Sequence, residues 1–292
     1  IKKKVSFKHV RDKVALYSMY SKNGSRISAG KFITIYPNEK EFYPLLEELD
    51  AALKDQPKGP YILTDKRWGE GNVFFRYGAF RELKDKDGRY CILDPKGNLI
   101  EDLRKPKFHL PNFVELPEEI KQKDESTKKG MPAVENPLNL YEIEKVIRFS
   151  NAGGIYLATR KKDEKKCVIK EARNEIGLDG QNRNAMYRLQ IEHKALLKLE
   201  TVSGVVKVLD YFTAWENKFL VLEFVEGVSL YSWVSAYYPF SKNADVNNYF
   251  SKVVQIVENL EKIVKEMHQN GVAMCDLQPQ NILIDEGMKI TI

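Results

Sequence analysis

Four groups of residues in the second half of the chain have the types and spacing to handle a phosphate group. Asn151-Ala-Gly-Gly-Ile-Tyr156 sets Gly153 and Gly154 side by side between β-like segments. Glycines there let backbone N–H groups approach an anion closely. Lys170 ends the apolar run Cys167-Val-Ile-Lys170, where a lysine can reach inward to the same anion. Glu192 follows 22 residues later in a helical segment and can pair with Lys170 and aim it. Asp276 and Asn281 stand five residues apart in Cys275-Asp-Leu-Gln-Pro-Gln-Asn-Ile-Leu-Ile284. Taken singly, each has an ordinary reading: a β-turn, a solvated lysine, an exposed helix glutamate, a chance spacing. Their occurrence in this order points to phosphate chemistry.

The flanking pattern supplies elements to hold them. Residues 147–158 and 166–170 read as a strand pair, 184–199 as a helix, and 205–212 and 219–224 as strands joined by a turn at 216–218. Ile256, Val257, Leu260, Ile263, Val264 and Met267 recur at three- and four-residue steps, the mark of a buried helix face. With this helix before it, the Asp276–Asn281 segment resembles the catalytic loop of protein kinases, HRDxxxxN followed by an apolar strand. The resemblance implies that Asp276 accepts or orients a substrate hydroxyl and that Asn281 holds Mg²⁺. It also implies that Gly153, Gly154, Lys170, Glu192 and a hinge near Glu223 and Val225 bind the nucleotide, ATP or GTP. Cys275 departs from the usual Arg or Gly, no His precedes it, and Gln278 stands where kinases usually carry Lys or Ser. Lys289-Ile-Thr-Ile292 matches the strand after which the second Mg²⁺ ligand, the Asp of a DFG-like motif, follows. The kinase-like region is therefore expected to be truncated at its C-terminal end.

The first half differs in composition. Residues 1–115 hold 23 basic and 16 acidic residues, net +7, against 24 and 25, net −1, in 116–292. The whole excess of +6 lies in this first part, which should attract anions. Lys31–Tyr36, Tyr61–Leu63, Val73–Phe75 and Tyr90–Leu93 read as strands, and 41–53 as a helix. Residues 116–140, with Pro117, Gly130, Pro132, Pro137 and the polar run 121–129, have linker composition. The expected division is 1–115, a linker at 116–140, and 141–292. The expected fold class is α+β, a mixed α/β domain followed by a kinase-like domain.

More particular phrases carry a second resemblance. They are Lys170-Glu-Ala-Arg173, Gly177-Leu-Asp-Gly180, Asp210-Tyr-Phe-Thr-Ala-Trp-Glu216 and Leu222-Glu-Phe-Val-Glu-Gly-Val-Ser-Leu230. In the first half they are Ser25-Arg26, Gly30-Lys-Phe-Ile-Thr-Ile-Tyr-Pro37, Gly59-Pro-Tyr-Ile-Leu-Thr-Asp65 and Phe75-Arg-Tyr-Gly78. Together the chain resembles the phosphoserine/phosphothreonine lyase and kinase domains of class III lanthionine synthetases. The resemblance implies two steps on a ribosomal precursor peptide with a leader segment. Ser or Thr is phosphorylated, and the phosphate is then eliminated to leave dehydroalanine or dehydrobutyrine. By resemblance Lys8 is the elimination base, and Arg26, Lys31, Arg67 and Arg76 bind the phosphate, a role that suits guanidinium groups. Arg67 and Arg76 flank a turn that can bring them together. The family's general-acid motif, Lys-x-His, lies upstream of the base and is not in this chain. Lys107-Phe-His109 has the same letters in another place, and His109 is expected in a tail strand. A cyclase-like domain follows in the family.

Other readings share some of these residues. One is an ordinary Ser/Thr kinase with a basic, anion-binding regulatory domain, and another is a pseudokinase scaffold. Trp68, Phe74, Phe75 and Tyr77 interleave with Arg67 and Arg76 as nucleic-acid stacking sites can, but strand packing explains them more simply. Neither nucleic acid nor a membrane is expected as a partner. No apolar run approaches the ~18 residues of a membrane span. Three widely spaced cysteines without a CxxC pair suit a reducing cytoplasm and exclude a structural zinc site.

Overall fold

The computed structural model describes residues 4–103, 105–122, 136–242 and 245–292. The expected linker run at 121–129 lies outside these residues from 123 onward. Two compact units form, and they do not follow sequence order. The first holds residues 1–136, 150–153 and 173–185, and the second holds 137–149, 154–172 and 186–292.

The first unit is built from small antiparallel sheets and one long helix. β1 (Ser6–His9) pairs with β2 (Ile33–Tyr36), so that Lys8 faces Thr34. Between them α1 (Lys13–Tyr20) begins at Asp12, whose carboxylate accepts from the Ala15 N–H. α2 (Glu39–Leu53) is capped in the same way by Asn38. Its Leu46 packs with Trp68 and Val73, Phe75 and Ile120, drawn from β3 (Lys66–Trp68), β4 (Val73–Phe75) and α3 (118–122). β5 (Leu83–Lys84), β6 (Tyr90–Leu93) and β7 (Leu99–Glu101) form a separate meander. Tyr61–Leu63, expected as a strand, is instead a bend. It follows Pro60 and closes with an Asp65 N–H bond to the Ile62 carbonyl, a turn contact that leaves no ladder.

The second unit carries a five-stranded antiparallel sheet in the order β11-β12-β10-β9-β8. These are β8 (Tyr141–Ser150), β9 (Gly153–Arg160), β10 (Lys165–Ala172), β11 (Val208–Ala214) and β12 (Asn217–Glu223). The strand expected over 147–158 is thus two strands, because the chain reverses at 151–152. The β11–β12 turn is also tighter than expected, since Ala214 already pairs with Asn217 and Trp215 takes a φ of 52°. Along β10, Cys167 and Ile169 are fully buried on one face. Lys170 consequently lies on the other. α4 (Ala185–Lys198) precedes β11.

After β12 come β13 (Val228–Ser229), α5 (Leu230–Tyr237), α6 (Pro239–Lys242), α7 (Val246–Gln269), β14 (Leu283–Ile284) and β15 (Ile290–Thr291). α7 starts at Asp245, which accepts from the N–H groups of Asn247 and Asn248. Ile256, Ile263 and Met267 of α7 pack with Trp233, Ile282, Ile284 and Ile290. Val257, expected on this face, is 56% exposed, and Val253 takes its place against the core. Among the described residues, no helix is long and apolar enough to cross a membrane.

Candidate functional site

In the second unit the sheet places Lys170 opposite Ile155 on one side and Leu220 on the other. Its ammonium forms an ion pair with Glu192 of α4, as the 22-residue spacing suggests. Both side chains are about one-third exposed, so the pair is open to water at one edge. His193, the next residue, stacks on Tyr211 at 4.0 Å, and burial pushes its imidazole pKa down.

The Asp276–Asn281 segment forms a closed loop. The Asn281 amide Nδ2 donates to the Asp276 carbonyl at 3.0 Å and to its carboxylate Oδ2 at 3.1 Å. Gln278 Nε2 donates to the same Oδ2 at 3.2 Å. Pro279 opens a 3₁₀ turn over Pro279–Asn281, where its missing N–H costs nothing. Ile282 and Ile284, both buried, anchor the loop to the α7 core. The Asp276 side chain remains exposed, and so does Cys275.

These residues fit magnesium as oxygen donors. The Asn281 amide spends its N–H side on Asp276, which leaves its oxygen for a cation. Mg²⁺ keeps several waters, so few protein ligands are needed. No group of three His, Cys, Asp or Glu residues suited to a metal occurs among the described residues.

Glu223 ends β12, and its carboxylate accepts from the Lys207 N–H at 2.9 Å. Its own N–H donates to the Lys207 carbonyl at 3.0 Å. A cleft of about 220 Å³ lies beside Glu223, Phe224, Val225 and Glu226, closed by Asp285 and Lys289. Gly154 is packed against a residue that spacing did not single out. A Cβ at 154 would collide with the Tyr156 ring, whose hydroxyl donates to Glu171 at 2.7 Å.

In the first unit the five expected elimination residues take three kinds of partner. Lys8 bonds the Phe80 carbonyl and lies over the rings of Phe80, at 4.7 Å, and Tyr36, at 5.3 Å. Arg67 lies 5.0 Å from the ring centres of both Tyr61 and Phe74. Lys31 pairs with Asp65 at 3.0 Å, and Arg76 with Asp102 at 2.9 Å. Thr64 donates to the same Asp65 at 2.6 Å. Arg26 donates to the Ser150 and Gly153 carbonyls at 2.7 and 2.9 Å. The β3–β4 hairpin therefore forms as expected, but Arg67 and Arg76 take different partners.

A cavity of about 310 Å³ brings Arg76 and Thr64 together with Asp102, Lys105, Lys107 and His109. His109 is not in a strand; it lies in an irregular exposed segment on this cavity wall. Asp65 and Asp102, the anions that hold Lys31 and Arg76, carry no role in the sequence reading, although Asp65 ends the quoted phrase Gly59–Asp65. Each meets its partner through the tertiary fold. His9 is exposed at the end of β1.

Lys170 pairs with Glu192 and Asn281 with Asp276, and residues 141–292, which hold all four, match the protein kinase domain. The chain belongs to the protein kinase family. Residues 1–130 match the RamC N-terminal domain. The probable SapB synthase of Streptomyces coelicolor is 34% identical over 301 aligned positions, covering 98% of this chain and 31% of that protein. The serine/threonine-protein kinase PrkC of Bacillus subtilis is 26% identical over 153 positions, covering 52% of this chain and 22% of that protein. The probable serine/threonine-protein kinase fhkC of Dictyostelium discoideum is 26% identical over 149 positions, covering 51% and 23%. The chain thus spans under a third of the length of each. The kinase domain implies the use of ATP and Mg²⁺.

Proposed function

We propose that this chain carries the two dehydration activities of a class III lanthionine synthetase. It phosphorylates Ser or Thr of a ribosomal precursor peptide and then eliminates the phosphate. The observation that carries the reading is the pairing of a Lys170–Glu192, Asp276–Asn281 kinase site with an N-terminal region that matches RamC. The similarity to SapB synthase runs through both parts.

In the first step Asp276 accepts the proton of the substrate hydroxyl as its oxygen bonds to the terminal phosphorus of the nucleotide, and the bond from that phosphorus to its bridging oxygen breaks to release the nucleoside diphosphate. Lys170, aimed by Glu192, neutralises phosphate charge. Asn281 would hold Mg²⁺, which offsets charge on the transferred group when bound. In the second step Lys8 takes the Cα proton. The Cα–H electrons form the new double bond as the Cβ–O bond breaks and phosphate leaves with that bond's pair. Arg76, which lines the cavity, and Lys31 are the proposed cations for the leaving group, and exchange of Asp102 and Asp65 for phosphate oxygens would engage them. Arg67 is the further candidate. The peptide's leader segment is the proposed partner, the cytoplasm the proposed location, and a cyclase-like domain the proposed neighbour in the complete protein. GTP is a proposed alternative to ATP.

The test uses the complete protein, a phosphoserine peptide bearing its leader, and no nucleotide. Mass spectrometry should find loss of phosphate and a new dehydroalanine. Persistence of the phosphopeptide, while the same protein phosphorylates the unmodified peptide with MgATP, would make the chain a Ser/Thr kinase with a basic regulatory region.

A further inference from the structure

Lys105, Lys107 and His109 line the cavity of about 310 Å³ together with Arg76 and Asp102, and all five belong to the first unit. That volume falls at the lower end of ligand pockets, about 300–1,000 Å³. Phe108, between Lys107 and His109, anchors this segment elsewhere. Its ring meets Phe75 at 5.8 Å and packs on the core of Leu46 and Trp68. The core residue thus holds the backbone while its polar neighbours are left to the cavity.

Pairing separates these three side chains from the other cations of the unit. Lys31 and Arg76 each hold a carboxylate. Among the described residues, the side chains of Lys105, Lys107 and His109 form no ion pair and no hydrogen bond, and all three are exposed. Arg76 and Asp102 cancel, so two lysine charges face the single carboxylate of Glu101 across the lining. An entering anion meets Lys105, Lys107 and His109 without displacing a partner, whereas Arg76 must first give up Asp102. The lining also holds buried Ile92, and Tyr77 and Phe113, whose rings meet edge to face at 5.7 Å. Such a lining suits an anion carried on a partly apolar chain. A phosphate monoester brings a charge of about −1.5 to −2 and three strong acceptor oxygens, a match in number for three donor side chains. A carboxylate brings one charge and two oxygens.

We propose that Lys105, Lys107 and His109 form a phosphomonoester-binding wall that captures the phosphorylated Ser or Thr of the peptide before any exchange at Arg76. The proposal rests on the peptide-phosphorylation reading above and adds the residues that hold the phosphorylated product. It applies whether or not elimination follows.

The probe is a leader-bearing peptide in which CH2 replaces the ester oxygen of phosphoserine, so that no phosphate can leave. Fluorescence anisotropy reads its binding to the complete protein without nucleotide. Joint Lys105→Gln and Lys107→Gln should raise its Kd at least about tenfold, because two charge-assisted hydrogen bonds are lost. The Kd of the unphosphorylated peptide should stay within about twofold. His109→Ala should raise the phosphonate Kd about threefold, and joint Lys105→Arg and Lys107→Arg, which keep both charges, should retain most of the affinity. The three side chains are exposed, so Tm should not move with the Gln changes. If the double variant does not fold, the single Gln variants decide. An unchanged phosphonate Kd would overturn the proposal. So would an equal loss of affinity for the unphosphorylated peptide, which would make the wall a general contact for acidic chains. Inorganic phosphate that binds through these lysines while the phosphonate peptide does not would overturn it too, leaving a site for free phosphate only. Should the wild type eliminate nothing from a phosphoserine peptide, the lyase reading falls while the phosphonate titration still judges the wall.

Discussion

Asn281 donates one amide group to two oxygens of Asp276, the carbonyl at 3.0 Å and the carboxylate at 3.1 Å. Five residues apart, the two are locked as a single unit. The bond orients the Asp276 carboxylate and turns the Asn281 oxygen toward whatever cation the site takes. Asp276→Asn removes the proton acceptor and should lower kcat for peptide phosphorylation by at least about 100-fold, the usual contribution of a positioned base. Asn281→Asp keeps an oxygen ligand but loses the donor. It should weaken phosphorylation less than Asp276→Asn and alter its dependence on Mg²⁺ concentration. A radiolabelled phosphate assay over a Mg²⁺ series distinguishes the two.

Lys170 and Glu192 are both about one-third exposed. Screening limits what such a pair adds to stability, to under about 1 kcal/mol. Lys170→Met should therefore leave Tm within about 2 °C while lowering kcat/KM for MgATP by roughly 100-fold. Glu192→Gln, which loosens the lysine without removing it, should fall between that variant and wild type. A large drop in Tm for either would show that the pair holds the fold rather than the nucleotide.

Lys8 takes its cation contacts from two rings and a carbonyl of the N-terminal unit. Lys8→Ala should accumulate phosphopeptide in a reaction supplied with MgATP, because phosphorylation continues and the Cα proton is no longer taken. Normal dehydrated product on mass spectrometry would remove Lys8 from the elimination step.

The three cysteines should separate by reactivity. Cys91 and Cys167 are buried and Cys275 is exposed. Burial pushes the Cys167 thiol pKa up, which removes the reactive thiolate. Brief iodoacetamide treatment at pH 8 should modify Cys275 first, and peptide mapping reads the order. Because Cys275 adjoins Asp276, prior MgATP should slow its modification.

Asp179 offers a pH test in the segment 177–185. Desolvation raises its pKa, but the N–H groups of Arg183 and Gln181 and the Arg183 guanidinium outweigh this and hold it at about 2. A carboxylate depressed in the folded state stabilises it above the unfolded value of 3.8, and this contribution is lost as pH falls through about 2. Titration of the Asp179 carboxyl by NMR should show a midpoint near 2. A midpoint near 3.8 would mean that the Asp179–Arg183 turn does not form in solution.

Much of the kinase unit was legible in the sequence because its signals are local. Alternation buries Cys167 and Ile169 and turns Lys170 to the other face, and a five-residue loop suffices to join Asn281 to Asp276. Three- and four-residue steps located α7, although Val257 falls outside the buried stripe. Where signals conflicted, local reading failed. Apolar residues on both sides of 151–152 read as one strand, yet the chain reverses there.

The partners of the basic residues were decided only by the tertiary structure. Lys31 and Asp65 are 34 residues apart, Arg76 and Asp102 are 26 apart, and Arg26 and Ser150 are 124 apart. A cation reads alike along the chain whether it meets a carboxylate, an aromatic ring or a carbonyl. The choice depends on which group folding delivers within about 3 Å, the range of a hydrogen bond. The sequence alone established the residue types and the order of the kinase elements. Which arginine faces the cavity, and which one holds the glycine turn, followed from long-range packing that no local period encodes.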